Sequence, residues 1–190
     1  ADEAVHRDIA DMADLARKIT DEPDEEAPAL LLEAPGAAEL AWRDWTRPEP
    51  DAVHDAPGSF EALGIWEAID DLKSPKVGLG PSGWMSVERT RALVAVDVNT
   101  GGDLSPAAGL KANIAALRAL PRALRLRGYG GQITVDLAPF PKKDRKIIEQ
   151  VLQSVLRNDP IETSFAGWTP LNNLELQRKR ERPLLQDLLP

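Results

Sequence analysis

The segment RALVAVDVN (91–99) is an almost unbroken apolar run that closes on two polar residues, Asp97 and Asn99. Its length and its valines predict a β-strand, and the lack of polar alternation predicts one covered on both faces. Residues two apart on a strand share a face, so Asp97 and Asn99 project together from its C-terminal end. Gly101 and Gly102 follow as a turn, and Ser105-Pro106 supplies an N-cap and a first helical residue. Residues 106–127 set Leu110, Ile114, Leu117 and Leu124 on one helical face, with Pro121 expected to kink or divide the helix. GYGG (128–131) ends it, and QITVDL (132–137) is a second apolar strand that closes on an acid, Asp136.

Outward from this unit the pattern continues. Upstream, GWMSVERT (83–90) reads as a strand, with Ser86, Glu88 and Thr90 alternating against Met85, Val87 and Arg89. Downstream, PKKDRKIIEQVLQSVLRND (141–159) reads as a helix with Ile147, Ile148, Val151, Leu152 and Val155 inward. IETSFAGW (161–168) is expected as a third central strand, and Thr169-Pro170 as the start of a terminal helix through ELQRKRERP. Strands alternating with helices define an α/β fold, a parallel or mixed sheet with flanking helices. In a strand–helix–strand unit the strands run parallel, which brings Asp97 and Asp136 to the sheet edge where such folds place their sites.

Two carboxylates brought together raise one another's pKa, and a divalent cation removes that conflict. Mg²⁺ takes one or two carboxylates, waters and phosphate oxygens, and needs neither Cys nor His. Asn99 adds a neutral amide. The plainer alternative is that each aspartate caps the turn that follows it. His6 and His54 lie far apart in sequence with no orienting partner in view, so neither is taken as a ligand or a base. The chain has no cysteine, which excludes a disulfide scaffold and any thiolate zinc site.

The net charge of −8 conceals an asymmetry. Residues 1–80 carry 20 acidic and 7 basic side chains, whereas residues 81–190 carry 11 and 16. A polyanion responds to the local face within a screening length of about 8 Å, not to the total. Lys111, Arg118, Arg122 and Arg125 form one helical stripe. Lys142, Lys143, Arg145 and Lys146 open the next helix, and Arg178, Lys179, Arg180 and Arg182 close the chain. Any one such run is an ordinary solvated face; three beside a candidate metal site point to a phosphate backbone.

Residues 1–80 form an acidic, mostly helical N-terminal part, distinct from the α/β part at 81–190. Val5, Ile9, Met12, Ala16 and Ile19 mark an amphipathic helix over 2–19. ALLLE (29–33) is a candidate short buried strand, and AAELAWRDW (37–45) a helix with Trp42 and Trp45 near its inner side. RPEPDAVHDAPG (47–58) is a loop. Ser59 is expected to cap a helix, FEALGIWEAIDDL, with Phe60, Leu63, Ile65, Trp66 and Ile69 as core candidates. The tryptophans are read as packing residues. No apolar run reaches the eighteen residues of a membrane span, and the acidic start does not fit a signal peptide, so a cytoplasmic location is expected. The chain opens on Ala1, as expected of a trimmed form of something longer.

The segment from Gly83 to Pro183 resembles the catalytic DNase I-like subdomain of the ribonuclease E/G family. The shared motifs are Glu88–Leu93, Val96–Gly101, Lys111–Asn113, Arg125–Gly131 and Ile133–Asp136, in order and at the family's spacing. LELQRKRERP is similar to the family's basic closing helix, and residues 1–80 are weakly similar to its sensor and RNase H-like regions. The resemblance implies a Mg²⁺-dependent endoribonuclease, with Mn²⁺ as the alternative ion. It would cut single-stranded RNA to 5′-phosphate and 3′-hydroxyl ends. Asp97 and Asp136 would hold the metal, with Asn99 completing the catalytic trio. Lys111, Arg118, Arg122, Arg125, Lys142, Lys143, Arg178 and Arg180 would hold the RNA. The family's zinc-linking cysteines and S1-type clamp are absent, which implies no zinc-linked oligomer and leaves a homodimer open. Pro139 stands where the family has a further acid, and Glu162 where it has an arginine that grips a 5′-monophosphate. The rival readings are a degenerate member that binds RNA or a protein partner without cutting, and a metal-dependent phosphatase.

Overall fold

The computed structural model describes residues 2–20, 30, 33–45 and 50–189, and the chain divides into two compact units, 1–57 and 58–190. The first holds α1 (Asp2–Thr20) and α2 (Ala37–Trp45), at the predicted positions. Trp42 is 59% exposed, so it does not face inward as expected. Of the strand expected at 29–33, Leu30 and Glu33 are exposed coil, and the rest lies outside the described residues.

The second unit opens with α3 (Ser59–Ala62) and α4 (Ile65–Asp71), not with one helix. Gly58 and Gly64, both left-handed at φ 84° and φ 64°, occupy the two N-cap positions. Ser59 is thus the first helical residue and not a cap. Breaking the helix at Gly64 rotates its apolar residues out of register. Phe60, Leu63 and Trp66 are about half exposed, and Ile65 and Ile69 only partly buried.

The rest of the unit is β1 (Lys76–Gly78), β2 (Trp84–Arg89), β3 (Val94–Asn99), α5 (Pro106–Arg127), β4 (Gly131–Asp136), α6 (Arg145–Arg157), β5 (Thr163–Trp168), β6 (Leu174–Arg178) and α7 (Leu185–Leu188). The strands form one mixed sheet in the order β1-β2-β3-β4-β6-β5. Only β3 and β4 are parallel, as their crossover through α5 requires. The α/β class expected from sequence is therefore the class observed.

Val94, Val96 and Val98 of β3 and Ile133 and Val135 of β4 are buried with Leu117, Leu120 and Leu124 of α5 and Ile148 and Leu152 of α6. The alternate residues Ala95, Asp97, Gln132 and Asp136 are exposed. So β3 is covered on one face, not two; Ala95 on the open face disguised the alternation. Within this unit the helices cover one side of the sheet and leave a polar side open.

Four further expectations are corrected. Helix α5 runs unbroken through Pro121, whose ring is buried in the helix–sheet core. A proline there forfeits one helical hydrogen bond, and packing on both sides of it holds the helix together. Ile147 is 40% exposed, beside the inward Ile148. The segment at 163–168 is the edge strand β5, not a central one. The expected terminal helix is strand β6: Leu174, Leu176 and Arg178 are buried, while Glu175 and Gln177 alternate outward with period two. The same five residues also satisfy a helical pattern, and strand pairing with β4 and β5 decided between them.

Candidate active site

Asp97 and Asp136 are direct register partners in the parallel β3–β4 pair. Adjacent strands lie about 4.8 Å apart, so the two exposed carboxylates stand side by side on the open face, at the C-terminal ends of their strands. Asn99 shares that face, and its Nδ2 donates to Asp97 Oδ2 at 2.7 Å. Among the described residues no further hydrogen bond engages the Asn99 Oδ1 or the second Asp97 oxygen. The three residues singled out from sequence are thus brought together.

The surrounding chain is held by contacts of several kinds. Gly83, at φ 117°, lets β2 begin against β3: a Cβ there would lie 2.0 Å from the Asn99 carbonyl oxygen. Ser86 is the antiparallel partner of Asp97, and its hydroxyl donates to Glu88 Oε1 at 2.5 Å. After Asn99 the chain turns through Gly101, and Ser105 caps α5 by accepting from the Ala108 N–H at 3.2 Å. The Ser105 N–H donates to Asp103 Oδ1 at 2.9 Å. That backbone bond, aided by the Ser105 side chain and by Lys111, holds the Asp103 carboxyl below its ordinary range. Lys111 therefore sits near the loop that follows Asn99.

The loop after Asp136 is clamped to α5. Asn113 is fully buried and pairs with both polar groups of the Ala138 peptide. Gly109 lets the helix approach so closely that a Cβ would lie 2.0 Å from the Pro139 carbonyl oxygen. Lys142 and Lys143 follow, both exposed. Next to them Arg145 stacks over Trp168 at 4.7 Å and donates to Asn172 Oδ1, while Trp168 Nε1 donates to Glu149 at 2.6 Å.

Not every basic residue is placed to meet a ligand. Arg178 is 1% exposed and donates to Asp159 and to Thr163 Oγ1, so it is a structural residue and not an RNA contact. Its position on β6 turns it to the helix-covered face, which a reading of the tail as helix could not show. Arg125 is tied to the other Asp159 oxygen at 3.0 Å. Lys111, Arg118, Arg122, Lys142, Lys143 and Arg180 are exposed. Arg180 packs its guanidinium against Gly131, where a Cβ would meet it at 2.3 Å. Glu162 precedes Thr163, whose register partner Arg178 faces Gly131; it lies at the end of the sheet opposite Asp136.

Sequence reading missed Trp84. It is only partly buried, it is the register partner of Asn99, and the Lys76 ammonium lies 5.1 Å from its ring centroid. The signal was its period-two step from Ser86, which puts both on the Asp97 face.

The donor set is two carboxylates and an amide oxygen, all hard ligands. It fits Mg²⁺, which completes its shell with water, and lacks the Cys and His ligands of the usual structural zinc site. Among the described residues no group of three or more His, Cys, Asp or Glu side chains comes together as a metal cluster. Nor is any described helix long and apolar enough to cross a membrane.

Fold and site together define an α/β protein with paired carboxylates at adjoining parallel strand ends. A model of the Ribonuclease E/G family matches residues 51–181, and the chain belongs to that family. Ribonuclease G of Salmonella typhimurium (strain SL1344) is 31% identical over 135 residues, 68% of this chain and 28% of that protein. The chloroplastic Ribonuclease E/G-like protein of Arabidopsis thaliana is 33% identical over 132 residues, 65% of this chain and 13% of that protein. Ribonuclease E of Nostoc sp. (strain PCC 7120 / SAG 25.82 / UTEX 2576) is 31% identical over 143 residues, 73% and 21% respectively. The chain thus spans under a third of the length of each of these relatives.

Proposed function

We propose that this chain is an endoribonuclease that cleaves single-stranded RNA, with Mg²⁺ or Mn²⁺ held by Asp97 and Asp136. The observation that carries the reading is their direct pairing across β3 and β4 on an open, polar sheet face. Membership of a family whose relatives are named ribonucleases supports the substrate class. When bound, the metal supplies an activated water and charge neutralisation at the phosphate. Water adds to phosphorus, the P–O3′ bond breaks, and the 3′ oxygen leaves with a proton, giving 5′-phosphate and 3′-hydroxyl ends.

The chain's own residues orient this step. Asn99 fixes the Asp97 carboxylate through its Nδ2 and shares its strand face. Lys111, Lys142 and Lys143, beside the loops that follow β3 and β4, attract the backbone on either side of the scissile phosphate. Trp84 offers a ring on which a neighbouring base stacks. A labelled single-stranded RNA incubated with Mg²⁺ or with EDTA tests the proposal. Metal-dependent cleavage is expected, and binding without cleavage in either condition would favour a degenerate, non-cutting member instead.

A further inference from the structure

Helix α5 carries a second concentration of charge on the side of the sheet away from Asp97 and Asp136. A cavity of about 270 Å³ opens there, bordered by Asp71, Val77, Arg118, Arg122, Leu126 and Arg127. Arg127 is 4% exposed, yet among the described residues no carboxylate pairs with it. Its Nη1 and Nη2 donate to the Ala123 and Ser74 carbonyl oxygens, and its Nε has no partner among the described residues. Burial pulls its pKa below the ordinary arginine value. A buried cation without a counter-ion is unusual, because charges taken out of water need pairing.

Arg118 and Arg122 stand one turn apart on the same wall, both exposed and without an ion pair among the described residues. Like charges at that spacing repel, and nothing else in the helix relieves them. Among the described residues of the lining Asp71 is the one carboxylate, against three guanidinium groups. Lys76 also borders the cavity, with its ammonium held over the Trp84 ring.

We propose that this cavity binds a phosphate group, gripped by Arg118 and Arg122 through paired charge-assisted hydrogen bonds, with Arg127 supplying positive potential from the floor. Two adjacent guanidinium forks match the tetrahedral oxygens of a phosphate better than a single halide. The group is either a free phosphoryl anion or a phosphodiester of an RNA strand. The proposal makes no use of Asp97 or Asp136 and stands apart from the cleavage reading.

Calorimetric titration of the full chain in EDTA, at fixed ionic strength, separates the two sources. One arm uses inorganic phosphate and the other a 5′-hydroxyl oligoribonucleotide. Saturable binding in either arm, weakened about tenfold or more in the Arg118→Gln/Arg122→Gln double variant, supports the site and names its source. Circular dichroism confirms that the variant, chosen to keep helix propensity, is folded. No saturable binding in either arm, or equal binding by the double variant, overturns the proposal. Because no cleavage occurs in EDTA, neither result bears on the metal site.

Discussion

The Asn113 carboxamide and the Ala138 peptide exchange two hydrogen bonds: Asn113 Nδ2 donates to the Ala138 carbonyl oxygen at 2.8 Å, and the Ala138 N–H donates to Asn113 Oδ1 at 2.9 Å. A side chain thereby replaces the partner that a strand would have given this peptide, two residues beyond Asp136. The Lys-x-Asn motif shared with the family acquires a physical purpose: it fixes the chain that leaves the candidate site.

Asn113→Ala should therefore cost about 2–4 kcal/mol of stability, since two buried bonds are lost and both peptide groups are left unpaired. Denaturant unfolding measures this directly. Cleavage per folded molecule should also fall, because Asp136 loses its anchored neighbour. A loss below about 0.5 kcal/mol would show that water or a shift of the loop replaces the amide.

Asp159 accepts from both Arg125 and Arg178, and its side chain, like that of Arg178, has no exposed surface. Asp159→Ala strands the Arg178 guanidinium in the core, at a cost of about 3–5 kcal/mol. The double change Asp159→Leu/Arg178→Met removes both charges and should recover most of it. Arg125, a third exposed, can turn to water and needs no second change. If the double variant is as unstable as the single one, packing and not charge dominates this site.

RNA affinity should fall linearly with log salt, with a slope of about −0.7 per phosphate neutralised on a single strand. Lys143→Glu should flatten that slope, whereas Arg157→Glu, at the far end of α6 from Asp136, should leave it unchanged. Equal effects would remove the case for a strand path past the loop that follows Asp136.

How far sequence alone reached can be judged from particular residues. The β3–α5–β4 unit was legible because a valine-rich apolar run and leucines at helical spacing are separated by a clear boundary at Ser105-Pro106, although Ala95 hid the period-two alternation of β3. Asp97, Asn99 and Asp136 followed from strand ends alone. Segment 174–178 was not legible, since LELQR fits either period and one of its two partner strands, β4, lies far upstream in sequence. The same blindness put Arg178 on the surface. Asn113 could not be read as a clamp because its partner lies 25 residues on. Lys76, counted with the acidic half, pairs in strand register with Ser86 beside Asp97. Linear charge halves do not survive a sheet that interleaves them.

The chain should not prefer RNA bearing a 5′-monophosphate over RNA bearing a 5′-hydroxyl. Where an arginine fork would hold the phosphate, Glu162 offers only acceptors and a negative charge. At about 4 Å a carboxylate repels a phosphate charge by roughly 1 kcal/mol even in bulk water. Its exposed position, at the opposite end of the sheet from Asp136, provides no alternative grip there. Matched oligonucleotides that differ only at the 5′ end should be cut at similar rates; a tenfold preference would reveal a pocket built from other residues.

The central claim is that Asp97 and Asp136 jointly hold the metal on which cleavage depends. Asp97→Asn and Asp136→Asn each keep shape and hydrogen-bonding capacity while removing one charge from an exposed strand end. Each variant should fold normally, retain RNA binding, lose most of its Mn²⁺ affinity by calorimetry, and cleave a labelled single-stranded RNA at a negligible rate. Cleavage at the wild-type rate by either variant, under the same Mg²⁺, would contradict the account.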